Sequence, residues 1–422
     1  MRGVGKAKLH SGSNIPHDQN GNLAEATAIR AAVAIPVIAS GRIEPADGDR
    51  HIAEGRYDFL AMGRKLLADP RLPCKLAFRD VQDIRPCIYC YTCVSTAYIR
   101  EPVRCAVNPE IGFEYAQQQC TADGARYVVI GGGPGGMEAA CRLAEAGAIV
   151  TLIEQGARLG GTLRMAALAY PANESLIDWM SHRVRRSGIN VRLRTTATAE
   201  LTKELKPDAI IVASGARRDM PHLPGNDLPH VFSGDDLRQL LLAENTDGLR
   251  RKTNFAIRMV TRVGAATGLT ANLDVVRKAS KIWMPLGKHI VIIGGELVGV
   301  ELAEYLMERG RIVTVLEPAS RLGKGLLLVR RMRLLAELKE HGVAMHGGVQ
   351  QMRIEKDIVR FADAAAQQQS VQADHVIMAM GASADTLLAD KLAASGWRVE
   401  TVGDCVTGSV ISRGQFAEPQ RQ

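Results

Sequence analysis

The chain has 422 residues, too many for one ordinary domain, so two or three domains with separate cores are expected. Hydrophobic residues make up 46%, charged residues 23% and aromatics 4%, with 41 glycines, a profile that excludes a disordered chain and fits a soluble α/β protein rich in tight βα turns. The formal charge of +8 is spread along the chain, and its densest run, Arg330-Arg331-Met332-Arg333, falls on a predicted helix, so a solvated face or attraction for anionic cofactors is expected and nucleic acid is not.

No apolar run approaches the ~18–20 residues a bilayer crossing needs, and Met1-Arg-Gly-Val-Gly lacks a signal-peptide core, so a cytoplasmic protein without a membrane partner is expected. Four of the eight cysteines crowd into one stretch, while Cys74, Cys120, Cys141 and Cys405 are scattered. In a reducing compartment this pattern points to a metal centre, not a disulfide framework. The scattered four are expected to be ordinary buried residues.

In chain order, a helix over Leu23–Val33 leads into a short strand, Ile35–Ala39, closed by Ser40-Gly41-Arg42. A second helix, Asp47–Gly55, precedes the strand Tyr57–Met62 and another Gly-Arg pair, Gly63-Arg64. Two such units cannot close a barrel of eight, so residues 1–80 read as the end of something larger. Residues 85–110, within a cysteine segment expected over 81–120, carry the cysteines with little helical or strand periodicity. The strand Tyr127–Ile130 then opens an α/β region whose pattern recurs at His289–Ile293: strand, glycine-rich turn, Ala/Leu-rich helix, second strand ending in Glu. This is an internal duplication, with a second nucleotide-binding domain (221–369) inserted in the first (121–220 and 370–422).

The cysteines are spaced Cys87-x2-Cys90-x2-Cys93-x11-Cys105. Three close thiolates can wrap three corners of a 4Fe-4S cubane and a fourth completes it. Zinc is the competitor, but it usually takes two separated Cys-x2-Cys pairs, and no second pair or His partner follows. The first glycine turn is Gly131-Gly132-Gly133-Pro134-Gly135-Gly136, with Glu154 closing the next strand. Gly131 makes the tight turn, Gly133 admits a pyrophosphate at the helix N-terminus, Gly136 lets helix and strand pack, and Glu154 suits an adenosine ribose, against the plainer reading of a glycine turn. Gly160-Gly161 suits backbone passing close to a flavin. In the second turn, Gly294-Gly295-Glu296-Leu297-Val298-Gly299, Glu296 replaces the middle glycine and opposes the approach of a pyrophosphate, so a structural relic of the duplication stands beside nucleotide binding. Glu317 there favours NADH, while Arg321 leaves NADPH open. Val212–Ala216 and Met378–Ala382 end in small residues where the two domains would connect. Gly403-Asp404 after a final strand can put a carboxylate on a flavin's ribityl chain, with a surface turn as the alternative.

The series Ile38–Ile43, Met62-Gly63-Arg64 with Ala68-Asp69-Pro70, the cysteine run, Gly131–Gly136 and Val402-Gly403-Asp404 resembles the 2,4-dienoyl-CoA reductase and trimethylamine dehydrogenase family from Leu23 to Asp404. The resemblance implies an N-terminally truncated member: the C-terminal part of an FMN-binding TIM barrel, a 4Fe-4S segment, an FAD domain and an inserted NAD(P)H domain. Gly41, Arg42, Gly63 and Arg64 then correspond to the clamp on the FMN phosphate, in a site left incomplete because most of the barrel and the substrate's proton donor are missing. The Cys90–Cys93 spacing is nearer the trimethylamine dehydrogenase branch. The tail after Asp404 lacks the long helix expected to cover the flavin.

By the same resemblance, electrons pass from NAD(P)H through FAD and the cluster to FMN, which reduces an enoate or enoyl C=C bond, or the current runs in reverse from an amine. Three readings follow. One is a reductase or dehydrogenase acting on a small molecule, completed upstream in the same chain or by a barrel subunit. Another is a stand-alone module that oxidises NAD(P)H and feeds an electron-transfer protein. The last is an inactive fragment whose exposed barrel edges would aggregate. Catalytic residues are not identified, and homo-oligomerisation is left open.

Overall fold

A computed structural model of the chain describes residues 19–114, 121–218, 220–242, 252, 259 and 272–407. The start of the chain, Cys120 and the tail after Thr407, on which expectations were placed, lie outside these residues. The chain divides into two compact units, one ending at Cys87 and the other beginning at Ile88, seven residues beyond the expected boundary at 80.

In the first unit, α1 (Leu23–Ala32), β1 (Ile38–Ala39), α2 (Pro45–Ala53), β2 (Phe59–Leu60), α3 (Arg64–Ala68) and α4 (Leu72–Ala77) follow the two predicted αβ repeats. The strands are shorter than expected, two residues each, paired in parallel with Ile38 opposite Phe59. Ile35, Ile38 and Phe59 stay exposed, because a two-strand pair has no further layer to cover these side chains. Ala26, Ala39, Ile43 and Tyr57 form the small core. Asp69 organises the end of the unit, accepting from Lys75 Nζ at 2.7 Å and from the Arg85 amide at 2.8 Å, which is why residues 81–87 join this unit.

The second unit opens with α5 (Thr92–Tyr98), within the cysteine run. The first nucleotide fold follows: β3 (Arg126–Ile130), α6 (Pro134–Glu145), β4 (Ile149–Ile153), α7 (Leu163–Ala169), α8 (Ala172–Arg186), β5 (Asn190–Arg192), α9 (Ala199–Leu205) and β6 (Ala209–Val212). A link strand β7 (Ala216–Arg218) leads to β8 (Val231–Ser233), α10 (Gly234–Leu242), α11 (Leu273–Ile282), β9 (His289–Ile293), α12 (Leu297–Met307), β10 (Ile312–Glu317), α13 (Leu328–Glu340) and β11 (Ala344–Gly347). A three-stranded meander, β12 (Gln350–Ile354), β13 (Ile358–Ala362) and β14 (Gln368–Gln372), precedes β15 (His375–Met378), the return strand β16 (Ala382–Ala384), α14 (Leu387–Ala394), β17 (Val399–Thr401) and α15 (Asp404–Thr407).

These strands form two five-stranded parallel sheets, ordered β17-β6-β3-β4-β5 and β11-β10-β9-β15-β8. Central strands such as Ala209–Val212 are buried along their whole length, as parallel strands covered on both faces must be. The inserted fold runs further than the expected end at 369, because β15 pairs with β9 and β8 in the second sheet. The antiparallel pair β7–β16 marks where the chain leaves the first fold and returns. Pro134 at the start of α6 supplies a preset φ, and Gly147 in the left-handed region (φ 92°) follows its end. No helix among the described residues is long and apolar enough to cross a membrane.

Candidate cofactor-binding site

In each sheet a strand with neighbours on both sides, β3 or β9, runs into a glycine turn and then a helix, the position where open α/β sheets bind nucleotides. Gly131 and Gly294 share φ 111°, and a Cβ on either would strike the carbonyl oxygen of Ala213 or Ala379 at 2.3 or 2.7 Å. Gly136 and Gly299 face the carbonyl oxygens of Gly131 and Gly294, where a Cβ would sit only 1.9 and 1.8 Å away. Gly136 and Gly299 are glycine for packing, and Gly131 and Gly294 for both packing and their positive φ.

Gly133 differs: a Cβ there would meet nothing within 4 Å. It is the N-cap of α6 and offers no side-chain acceptor to the first-turn amides, which therefore face open space with the positive end of the helix dipole behind them. Gly161 and Gly403 border this space: a Cβ on Gly161 would lie 3.1 Å from Gly133 Cα, and one on Gly135 would lie 3.5 Å from Gly403 Cα. Gly160 donates its amide to the Gly132 carbonyl at 2.8 Å. The structure thus brings Gly131, Gly133, Gly136, Gly160, Gly161 and Gly403 together at one helix terminus, an arrangement that accommodates a diphosphate.

The two strand-ending acids have a role the sequence did not disclose. Glu154 accepts the Gly132 amide at 2.7 Å and the Gly156 amide at 2.6 Å; Glu317 accepts the Gly295 amide at 2.5 Å and the Ala319 amide at 2.7 Å. Each carboxylate ties the glycine turn to the loop after the next strand, and its remaining lone pairs can still accept ribose hydroxyls. Glu296 takes the N-cap place of Gly133 in the second fold, in extended backbone (φ −73°, ψ −168°) that any residue adopts. Its side chain reaches Lys324 Nζ at 3.3 Å, a half-exposed pair that offsets the charge expected to repel a pyrophosphate.

Asp404 is half-buried at the start of α15, and burial pushes its carboxyl up to about 6, with the Arg218 guanidinium opposing the shift. Because its folded-state value lies above its ordinary value, folding favours the protonated acid: stability is greatest below about 4 and falls as pH rises through about 6. Asp404→Asn is therefore expected to raise the flavin-free melting temperature at pH 8 but not at pH 4. After discounting for solvent, the gain is on the order of 1 kcal/mol, read by thermal melts across pH.

Cys90, Cys93 and Cys105 are half-buried in the second unit and Cys87 closes the first, none of them in a disulfide. Among the described residues no three His, Cys, Asp or Glu side chains are grouped so as to hold a metal ion. Tyr89 (φ 54°) and Tyr91 (φ 60°), on either side of Cys90, both occupy the left-handed region, costly for bulky side chains. Such alternation turns successive amides to one side, the concavity found around phosphates and iron–sulfur clusters. Of the scattered cysteines, Cys141 and Cys405 are buried as expected, but Cys74 is exposed.

In the first unit, the parallel register puts Gly41-Arg42 and Gly63-Arg64 at the same ends of β1 and β2. Gly41 (φ 126°) and Arg42 (φ 51°) both turn left-handed, and a Cβ on Gly63 would meet nothing within 4 Å. The densest basic run does not form the solvated face expected of it: Arg330 on α13 is buried against Glu304 at 2.7 Å.

A family model described as pyridine nucleotide-disulphide oxidoreductase matches residues 125–406. The chain is 31% identical over 393 residues to an NADH oxidase of Thermoanaerobacter brockii, covering 91% of this chain and 54% of that protein. It is also 31% identical over 382 residues to a bilirubin reductase of Mediterraneibacter gnavus, covering 89% and 53%. Among solved structures, a 2-naphthoyl-CoA reductase complex with 2-naphthoyl-CoA superposes with a TM-score of 0.77 at 25% identity, over 94% of this chain and 55% of that one. The chain spans about half the length of the curated relatives it matches.

Proposed function

We propose, from the premise that the chain belongs to the pyridine nucleotide-disulphide oxidoreductase family, that this flavoprotein oxidoreductase moves electrons between NAD(P)H, FAD, a 4Fe-4S cluster and FMN, to reduce an enoate or enoyl C=C bond or, in reverse, to oxidise an amine. The observation that carries the reading is the open helix terminus at Gly133, bordered by Gly161 and Gly403 and repeated in outline at Gly294–Gly299. When bound, a flavin would accept one hydride, carrying two electrons, from a nicotinamide and give those electrons up singly to a cluster.

The residues divide that work. Gly131, Gly133 and Gly136 with the α6 amides would hold the FAD diphosphate, Glu154 its adenosine ribose, Gly160 and Gly161 the backbone passing the flavin, and Gly403 and Asp404 the ribityl chain. Gly294, Gly299 and Glu317 would hold NAD(P)H, with Lys324 drawing Glu296 aside. Cys87, Cys90, Cys93 and Cys105 would ligate the cluster, and Gly41, Arg42, Gly63 and Arg64 would clamp the FMN phosphate. The names of the relatives support an oxidant that is either oxygen or an unsaturated organic molecule.

Purification without oxygen is expected to give flavin absorption bands with a broad cluster shoulder, bleached on adding NADH. A colourless protein, or one whose flavin bands ignore both NADH and NADPH, would overturn the proposal. A second reading is a stand-alone module that oxidises NAD(P)H and feeds an electron-transfer protein. It requires dye reduction by NADH with no enoate present, and no turnover of enoates or amines.

A further inference from the structure

Arg330, on the third turn-facing position of α13, is the centre of a buried polar group that the cofactor assignments do not use. Its guanidinium donates to Glu304 of α12 at 2.7 Å and to the hydroxyl of Tyr170, and Tyr170 in turn donates to Glu304. The guanidinium also lies 4.6 Å from the centre of the Tyr170 ring. Tyr170 follows α7 in the first nucleotide fold, whereas Glu304 and Arg330 belong to the inserted one. The preceding residue joins α13 to the cysteine segment, the Val329 amide donating to the side-chain Oγ of Ser95 on α5 at 3.3 Å.

Burial, and then the neighbouring Glu337, Glu301 and Glu308 carboxylates, push the Glu304 carboxyl up, while burial pushes the Arg330 guanidinium down. Such a pair is costly to bury and more costly to break, because removing one partner strands the other. A buried pair of this kind contributes less to stability than to fixing one arrangement among several. One guanidinium nitrogen, Nη2, serves both the carboxylate and the hydroxyl while the planar group lies against the ring, a combination the compact ammonium of lysine does not reproduce.

We propose that Arg330, Glu304 and Tyr170 are positioning residues that fix the cysteine segment and the two nucleotide folds in one mutual arrangement, setting the spacing across which electrons leave the flavin. The proposal rests on the cysteine segment being a cluster site. The test is therefore read first on iron-free protein. Hydrogen exchange is measured by mass spectrometry over residues 88–105 and, as an internal control, over 126–145.

Arg330→Met is expected to speed exchange in 88–105 by about tenfold and Tyr170→Phe by about threefold, with 126–145 within twofold of the parent. In iron-loaded protein reduced with dithionite, both variants are expected to broaden the electron paramagnetic resonance signal, because the segment no longer holds one conformation. Where Arg330→Met does not fold, Tyr170→Phe decides. Unchanged exchange at 88–105 in the variants, or equal acceleration at 126–145, would overturn the proposal. Failure of the parent to bind iron at all would instead overturn the cluster reading and be seen before any variant is made.

Discussion

Cys90→Ser is expected to remove at least nine-tenths of the iron and acid-labile sulfide from oxygen-free preparations that otherwise carry about four of each per chain, while flavin content stays at the parent level. Cys90 sits between the two left-handed tyrosines, with its thiol 3.2 Å from Thr92 Oγ1, so serine is readily accommodated and changes only the donor atom. Cys74→Ser is the matched control: that cysteine is exposed, outside the run, and its replacement should leave iron unchanged. Equal iron in the parent and Cys90→Ser proteins would remove Cys90 from the ligand set. Loss of flavin together with iron would mean that the variant had disturbed the whole second unit.

Gly133→Ala and Gly136→Ala should separate binding from folding. At Gly133 a methyl meets no protein atom within 4 Å, and the residue's φ of −73° suits alanine. The flavin-free protein should therefore melt within about 1 °C of the parent. The methyl does fill the gap through which a diphosphate would reach the α6 amides, and FAD affinity should fall about 100-fold or more, roughly 2.7 kcal/mol, by titration of the flavin-free protein. At Gly136 the methyl would lie 1.9 Å from the Gly131 carbonyl oxygen, so strand and helix must part. Overpacking of that kind costs about 1–3 kcal/mol, enough to lower the melting temperature by several degrees with or without flavin. If Gly133→Ala bound FAD as the parent does, the diphosphate would have to lie elsewhere.

Much of the candidate site was legible before any coordinates because its requirements are local. A turn at φ 111°, a helix entered without a side chain at its cap, and an acid at the end of the following strand are properties of short stretches, and glycine spacing encodes them directly. The duplication was legible for the same reason, since both copies repeat the stretch. Boundaries were less so. The inserted fold continues to β15 because that strand finds its partners in β8 and β9, a choice made by residues about 80 to 150 positions away that no local pattern announces. Residues 81–87 join the first unit through the Asp69 carboxylate, whose reach to the Arg85 amide lies 16 residues along the chain.

The amino-acid sequence by itself determined that this chain carries two dinucleotide-type folds, one within the other, preceded by a run of four cysteines and two Gly-Arg turns. Only the tertiary structure decided that Glu154 and Glu317 staple the glycine turns, that Glu296 pairs with Lys324, and that Arg330 pairs with Glu304 instead of lying on a solvated face. The reason is separation: Tyr170 and Arg330 are 160 residues apart. The environment of a side chain at such a distance is set by which faces pack together, while the conformation of a turn is set by the residues inside it.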